Sequence, residues 1–256
     1  MRERVTSLES RLLPQGRMDA LRQLALVATA YYLYRLTRGF VDDPTNAVVA
    51  FAHGRDIIAL ERSLHVFVEP SVQGFAQSVP ALEDLTAWMY VNAQSTVTLA
   101  ALAFLYISHN RSFYFVRNMF MVAWLLAIVG YVVLPTAPPR FFGEWGFSDS
   151  VADFTGVDHD SVAVNALFNP YAAVPSMHVG FALMVGIPLA RLSRSRVTKV
   201  AWSLYPVVVT FVIVATANHF LFDAVAGAVV VVAAGWAAAW LGRVRPTAWA
   251  FTPVRA

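Results

Sequence analysis

Residues His219–Leu241 read HFLFDAVAGAVVVVAAGWAAAWL: two ionisable side chains, His219 and Asp223, then no further charge to the end of the run. A helix needs about 20 mostly apolar residues to cross the hydrocarbon core of a bilayer. The run therefore predicts a membrane span that carries its polar chemistry at one end. Composition agrees. Of the 256 residues, 58% are apolar and 14% charged, and the mean hydropathy is +0.56. A soluble domain carries about 25% charge, so the surface of this chain is matched to lipid. Disorder, collagen and coiled coil are excluded on the same grounds. The absence of Cys excludes disulfides, thiolate metal sites and thiol nucleophiles. Lys199 is the only lysine, and no function is read from that.

Working outward, five more segments have span-like length and hydropathy: Val200–Ala217, Ala173–Leu192, Phe113–Leu134, Leu82–Ile107 and Leu21–Phe40. The last has the shortest uninterrupted apolar stretch, with Arg22, Arg35 and Arg38 near its ends, where they can snorkel. It does not read as a signal peptide, because about twenty mixed-charge residues precede it and no small-residue cleavage site follows. Six spans place Arg2, Arg4, Arg11, Arg17, Arg22, Arg111, Arg117, Arg191, Arg194, Arg196, Lys199, Arg243, Arg245 and Arg255 on one side, 14 of the 19 basic residues. Cytoplasmic loops are the basic ones, so both termini are expected in the cytoplasm. The expected organisation is a cytoplasmic segment 1–20, a membrane domain 21–241 and a cytoplasmic tail 242–256. The outer side then holds two long segments, 41–81 and 135–172, rich in acidic residues. Within the first, Ala47–Glu69 has helical spacing at Ile57, Leu60, Leu64 and Phe67, which predicts an amphipathic helix at the outer interface.

Three short segments meet at the outer ends of these spans. Arg140 closes Leu134-Pro-Thr-Ala-Pro-Pro-Arg140; Ser176 and His178 open the fourth span in Pro175-Ser176-Met177-His178; His219 and Asp223 open the sixth. Ionisable residues inside spans are costly and mark function. His219 and Asp223, four apart, share a helix face, so the carboxylate can hold one ring nitrogen and leave the other to attack. Two histidines, a carboxylate and an arginine suffice for metal-free phosphoryl transfer: one His as nucleophile, one as acid and then base, Arg on the phosphate oxygens. The N-termini of spans four and six are expected to add anion-binding donors. Against this stand plainer readings, namely interfacial histidines and a His–Asp pair acting as helix glue. The convergence at one depth favours a site. Asn92, Gln94, Ser95, Thr96 and Thr98 of the second span read as interhelical hydrogen-bonders or as a substrate lining. The loop Asp149–Asp160 reads as a solvated acidic loop, without a calcium-loop pattern.

These three segments resemble the signature motifs of the type 2 phosphatidic acid phosphatase (PAP2) superfamily: Lys-x6-Arg-Pro, Pro-Ser-Gly-His and Ser-Arg-x5-His-x3-Asp. Here Val133 stands at the Lys position, Phe141 follows Arg140, Met177 replaces Gly, and Ile213 stands at the third-motif Arg position. The wording is closer to the branch containing inositol phosphorylceramide synthase, which transfers a phospho-headgroup between lipids. The resemblance implies an all-α integral membrane fold, a six-transmembrane-helix bundle of PAP2 type with the amphipathic interfacial helix on its outer side. It implies His219 as the phosphorylated nucleophile, Asp223 orienting it, His178 as acid and base, and Arg140 with Ser176 on the phosphate. No metal and no cofactor are implied. The substrate would be a membrane lipid phosphate and the acceptor water or an alcohol such as a polyol, with no nucleic acid involved. Arg38, Arg55 and Arg62 are the candidates to replace the missing cations, with His53 and His65 weaker ones; Arg55 and Arg62 stand two turns apart on the amphipathic helix, within reach of the pocket, and the plainer reading places them at lipid headgroups. The rival class is a lipid transporter or scramblase, in which the polar cluster binds headgroups without chemistry. Repeat-like halves and interrupted helices would mark it, and the sequence shows neither.

Overall fold

The computed structural model describes residues 12–39, 44–157 and 170–246. Arg2, Arg4, Arg11, Asp158, His159, Asp160 and Arg255 lie outside them, as does the side chain of Arg38. The described chain is helical: α1 (Arg17–Gly39), α2 (Pro44–Ser63), α3 (Glu69–Gln77), α4 (Pro80–Ser108), α5 (Asn110–Val133), the short α6 (Ser150–Thr155), α7 (Met177–Leu192), α8 (Arg196–Ala215) and α9 (Leu221–Val244). Among the described residues there is no strand, only an isolated bridge between Thr136 and Ala172.

Four helices, α4, α5, α8 and α9, are long and apolar enough to cross a membrane, which makes this a membrane-embedded, multi-pass protein. Helix α7 is apolar but has 16 residues, about 24 Å at 1.5 Å per residue. That is shorter than the roughly 30 Å hydrocarbon core. Helix α1 is not among the candidates; its charges Arg17, Asp19, Arg22, Arg35 and Arg38 break up the apolar run. Four of the expected six spans thus meet the criteria of length and hydropathy.

Helix α9 shows why these elements pack as they do. Val225, Val229, Val232, Trp236 and Trp240 are exposed, one stripe at three- and four-residue spacing, while Gly227, Val231, Ala234 and Ala238 are buried opposite. In lipid there is no hydrophobic gain from pairing helices, so small residues face the bundle to allow close approach and large apolar ones face outward. The buried stripe joins Leu105 of α4, Met119, Ala123 and Ala127 of α5, and Met184, Val185 and Leu189 of α7 in the main core.

The segment expected as one amphipathic helix, Ala47–Glu69, divides. Helix α2 ends at Ser63, the chain turns through His65 at a φ of 58°, and α3 begins at Glu69. The buried face of α2 is Ala50, Ile57, Ile58 and Glu61, packed with Phe142, Ala217 and Phe220; Leu60 and Leu64 are exposed. Leu60 and Leu64 precede the turn and lie off the buried face, which runs through Ile57, Ile58 and Glu61; the turn then separates Phe67 from α2.

Candidate active site

The site is assembled from the C-terminal ends of α5 and α8 and the N-terminal ends of α7 and α9. The loop after α5 is fixed by its backbone: Thr136, Ala137 and Arg140 donate their N–H groups to the carbonyls of Tyr171 (2.8 Å), Ala50 (3.0 Å) and Ala217 (2.8 Å). The loop before α7 is held just as closely. A Cβ on Gly130 would stand 2.6 Å from Pro175 Cδ, and one on Gly227 would collide with the Ser176 carbonyl. Tyr131 donates its hydroxyl to the Pro175 carbonyl at 3.2 Å, and Ser176 donates its N–H to the Asp223 carbonyl at 2.9 Å. Two glycines on neighbouring spans therefore let Val174–Ser176 wedge between α5 and α9. Ala217, which joins α8 to the site, is buried with a φ of 52°. That left-handed conformation costs an alanine roughly 1–2 kcal/mol, and local strain of this kind gathers at functional sites.

On this frame the expected residues come together. Asp223 is fully buried, and its Oδ2 accepts both His219 Nδ1 (3.0 Å) and the Phe220 N–H (3.0 Å). The bond engages Nδ1 of His219 and orients the ring about it. The His178 ring stands 5.5 Å from that of His219, centre to centre, at 60°, and is stacked on Tyr90 at 4.3 Å and 18°. Ser176 is buried, and its hydroxyl has no hydrogen-bond partner among the described residues. Arg140 donates from a terminal nitrogen to Asn218 Oδ1, lies with its guanidinium 4.8 Å above the Phe141 ring, and pairs through Nε with Asp149 Oδ2 at 3.3 Å. The two imidazoles are close enough for one phosphoryl group to meet both, and Arg140 is tied to Asn218, the residue before His219.

A family model described as the PAP2 superfamily matches residues 55–237, a span that contains all three segments. The chain belongs to the PAP2 superfamily. No curated protein and no solved structure matches it. Membership points to phosphatase- or phosphotransferase-type activity.

Two PAP2 motif cations have apolar replacements with defined places. Val133 is 71% exposed on the outer surface of α5, whereas Ile213 is fully buried among Val179, Ala182, Val209 and Ala224. Arg55 and Arg62 are both exposed on α2, and Arg62 lies 4.8 Å over Trp145, in the turn that follows Arg140. His53 is tied to the Pro135 carbonyl at 2.8 Å, and His65 is exposed at the turn after α2.

One expectation is corrected. The N-terminus of α9 offers no donors to a substrate in its first turn, because Phe220, Leu221 and Phe222 give their N–H groups to Asp223, Glu69 Oε1 (2.9 Å) and Glu61 Oε1 (2.7 Å). The dipole of this helix is thus met by the protein's own carboxyls. Among the described residues, no group of three or more His, Asp or Glu is arranged to hold a metal ion.

Sequence reasoning missed Glu61, Glu69, Asn218 and Asp149. Asn218 stood beside His219 with no role assigned, yet it joins Arg140 to the Thr216 carbonyl. Asp149 was read as part of a solvated loop. Its Oδ1 in fact caps α6 by accepting the N–H groups of Val151 and Ala152, which aims Oδ2 at Arg140. The acidic N-cap directly before α6 was the available signal. Of the polar residues on α4, Gln94 and Thr98 line a cleft beside His178. Ser95 and Thr96 are exposed, and Asn92 bonds its own helix at the Trp88 carbonyl.

Proposed function

We propose that this PAP2 protein cleaves a lipid phosphate ester or anhydride through a phosphohistidine on His219. The buried His219–Asp223 pair facing His178 beside Arg140 carries the reading. His219 Nε2 attacks phosphorus, the bond from phosphorus to the lipid oxygen breaks, and His178 gives that oxygen its proton. His178 then takes a proton from water or an alcohol, whose oxygen attacks phosphorus and displaces His219. Asp223 holds the Nδ1 proton and stabilises the imidazolium character that develops. Arg140 neutralises the equatorial oxygens, with the substrate phosphate replacing Asp149 at its edge, and Ser176 adds a neutral donor.

The lipid assignment rests on membership of the PAP2 superfamily and on the membrane-length helices around the site; a cleft lies beside it between α4, α7 and α8. Its cavity volume is only about 10 Å³, and it is lined by Met89, Tyr90, Phe181, Val209 and Ile213, with His178 among them. These apolar side chains wall one side of the imidazole, and the cleft is too narrow for an acyl chain, so a lipid substrate presents its phosphate from the surrounding bilayer. Ile213, at a position where the family motif carries Arg, forms part of that wall. Arg55 and Arg62 are proposed to meet the rest of the headgroup from the rim. In this reading α1 and α7 complete six crossings, both termini are cytoplasmic, and the site opens on the outer face of the cell membrane. Hydrolysis makes the protein a lipid phosphatase, and transfer to a polyol makes it a phosphotransferase of the inositol phosphorylceramide synthase kind.

The test is turnover by purified protein on lipid phosphates, lipid diphosphates and phosphoinositides, with and without inositol, with free phosphate and new lipid measured separately. Activity that resists chelators, is inhibited by vanadate as a mimic of the pentacoordinate transition state, and has a bell-shaped pH profile is expected. Headgroup binding or lipid movement without release or transfer of phosphate, or activity that chelators abolish and a divalent metal restores, refutes the proposal.

A further inference from the structure

Three consecutive N–H groups open α9, and each meets a different buried carboxyl group. Asp223 belongs to the helix itself, but Glu61 comes from α2 and Glu69 from the first residue of α3. Both glutamates are buried, at 2% and 0% exposure. Each spends Oε1 on the helix, and each has an Oε2 that is buried with no hydrogen-bond donor among the described residues. The two carboxyl groups lie within hydrogen-bonding reach of each other.

Buried polar atoms are nearly always paired, and those that are not need an explanation. Two ionised carboxylates packed together away from water repel, and one of them gains a proton. A single proton between them gives one Oε2 a donor and the other an acceptor, which resolves both unpaired atoms at once. We propose that Glu61 and Glu69 are positioning residues for His219: sharing one proton between their carboxyl groups, they hold the first turn of α9 and with it the His219–Asp223 pair. Burial, then the neighbouring Glu69, pushes the Glu61 carboxyl up to about 9, which agrees with a proton held there. The glutamates touch neither His178 nor Arg140 in any hydrogen bond described, so they act through the helix. Leu221 and Phe222 directly follow His219 and Phe220, and a tilt of this turn would move the His219 ring relative to His178.

The proposal rests on His219 as the phosphorylated residue, and the experiment separates the two. A protonated Glu is closely matched by Gln, which can accept the Phe222 N–H with its carbonyl oxygen and donate its amide to Glu69. Glu61→Gln is expected to keep kcat within about twofold. Glu61→Gln/Glu69→Gln places two amides face to face without an acceptor; kcat is expected to fall at least about tenfold, with KM changed less than about threefold and the helical circular dichroism retained. Infrared spectra, which need no substrate, are expected to show a carboxylic-acid stretch in the wild type that is lost in Glu61→Gln. Wild-type activity in the double variant, or absence of that carboxylic-acid band, overturns the proposal. Wild-type protein that turns over no lipid phosphate while showing the band sinks the phosphohistidine reading instead and leaves the shared proton standing.

Discussion

Helix α5 runs between two buried polar clusters, and they are built to opposite rules. At its start, Asp19 of α1 accepts the hydroxyls of Tyr106 (3.0 Å) and Tyr114 (2.8 Å) on Oδ2 and the Gln23 amide (3.0 Å) on Oδ1. Arg117 donates to Gln23 Oε1 at 2.6 Å and to Asn118 Oδ1. Each of these charges is met by hydrogen bonds. At the other end of α5, roughly 20 Å away for the fourteen residues from Arg117 to Tyr131, Glu61, Glu69, Asp223 and Ser176 each hold a buried polar atom without a hydrogen-bond partner among the described residues, and Arg140 Nε faces Asp149 without hydrogen-bond geometry. A saturated network in a low-dielectric interior fixes α1 against α4 and α5. In the unsaturated one, Ser176 Oγ and Arg140 Nε are the unmet donors that a phosphate would use, while the two glutamates face each other. The two ends differ in charge, one Asp with one Arg at the start against four carboxyl groups with one Arg at the other, and in unmet polar atoms, which among the described residues are His109 Nδ1 alone at the start and five at the site.

The comparison breaks most visibly at His219. His219→Ala should lower kcat at least about a thousandfold, roughly 4 kcal/mol, and abolish the phosphoenzyme in a trapping assay, while the unfolding midpoint stays near the wild type. Arg117→Ala should do the reverse. Unpaired Gln23 and Asn118 oxygens cost about 1–3 kcal/mol each when buried, so the midpoint should drop while kcat per folded molecule holds. If Arg117→Ala loses activity in fully folded protein, the two clusters are not the scaffold and site described here.

Gly227→Ala should lower both readouts together. The new methyl meets the Ser176 carbonyl backbone, and relief of such overpacking typically costs about 1–3 kcal/mol. Ser176 and His178 should shift as α9 moves away. Unchanged kcat in that variant would mean that the close approach of α9 to the Ser176 loop does not set the site.

Asp149→Asn sharpens the claim that Arg140 waits on a borrowed anion. The amide oxygen can still cap α6, but the charge facing Arg140 is gone, so KM for a lipid phosphate should fall about three- to fivefold, near 1 kcal/mol. A raised KM would make Asp149 part of the productive geometry and not a competitor.

The last effect is a slope. In the folded protein Glu61 holds its proton up to about 9, against an ordinary 4.5, because it is buried and faces Glu69 and, further off, Asp223. Folding therefore takes up a proton between those values. The contribution is full below pH 4.5 and is lost as pH rises through 9. The wild-type midpoint should sag across that window, and Glu61→Gln should flatten the sag. Arg117, in the saturated cluster, should leave the slope as it was.

Much of this was legible in the chain. The expected spans Leu82–Ile107, Phe113–Leu134, Val200–Ala217 and His219–Leu241 lie within a few residues of α4, α5, α8 and α9, since length and hydropathy are local properties. The pairing of His219 with Asp223 follows from helical spacing alone and holds at 3.0 Å. Glu61 was partly legible too: it stands four residues after Ile57, on the buried stripe of α2, where a solvated acid does not belong. The buried face of α2 follows Ile57, Ile58 and Glu61 and leaves Leu60 and Leu64 exposed, and the break at His65, where φ is positive, is announced by no apolar periodicity.

The amino-acid sequence alone determined the solvent of this protein, the segments that enter it, and the residue types that meet at one end. Each of these depends on side-chain chemistry and short-range spacing. Tertiary structure alone decided the partners: Glu61 and Glu69 on the start of α9, Asp149 on Arg140, Gly130 and Gly227 around Pro175 and Ser176. Those contacts join residues up to 161 positions apart. A hydrogen bond exists only when packing brings donor and acceptor to about 3 Å in the right direction, and nothing in the local sequence of either partner carries that distance.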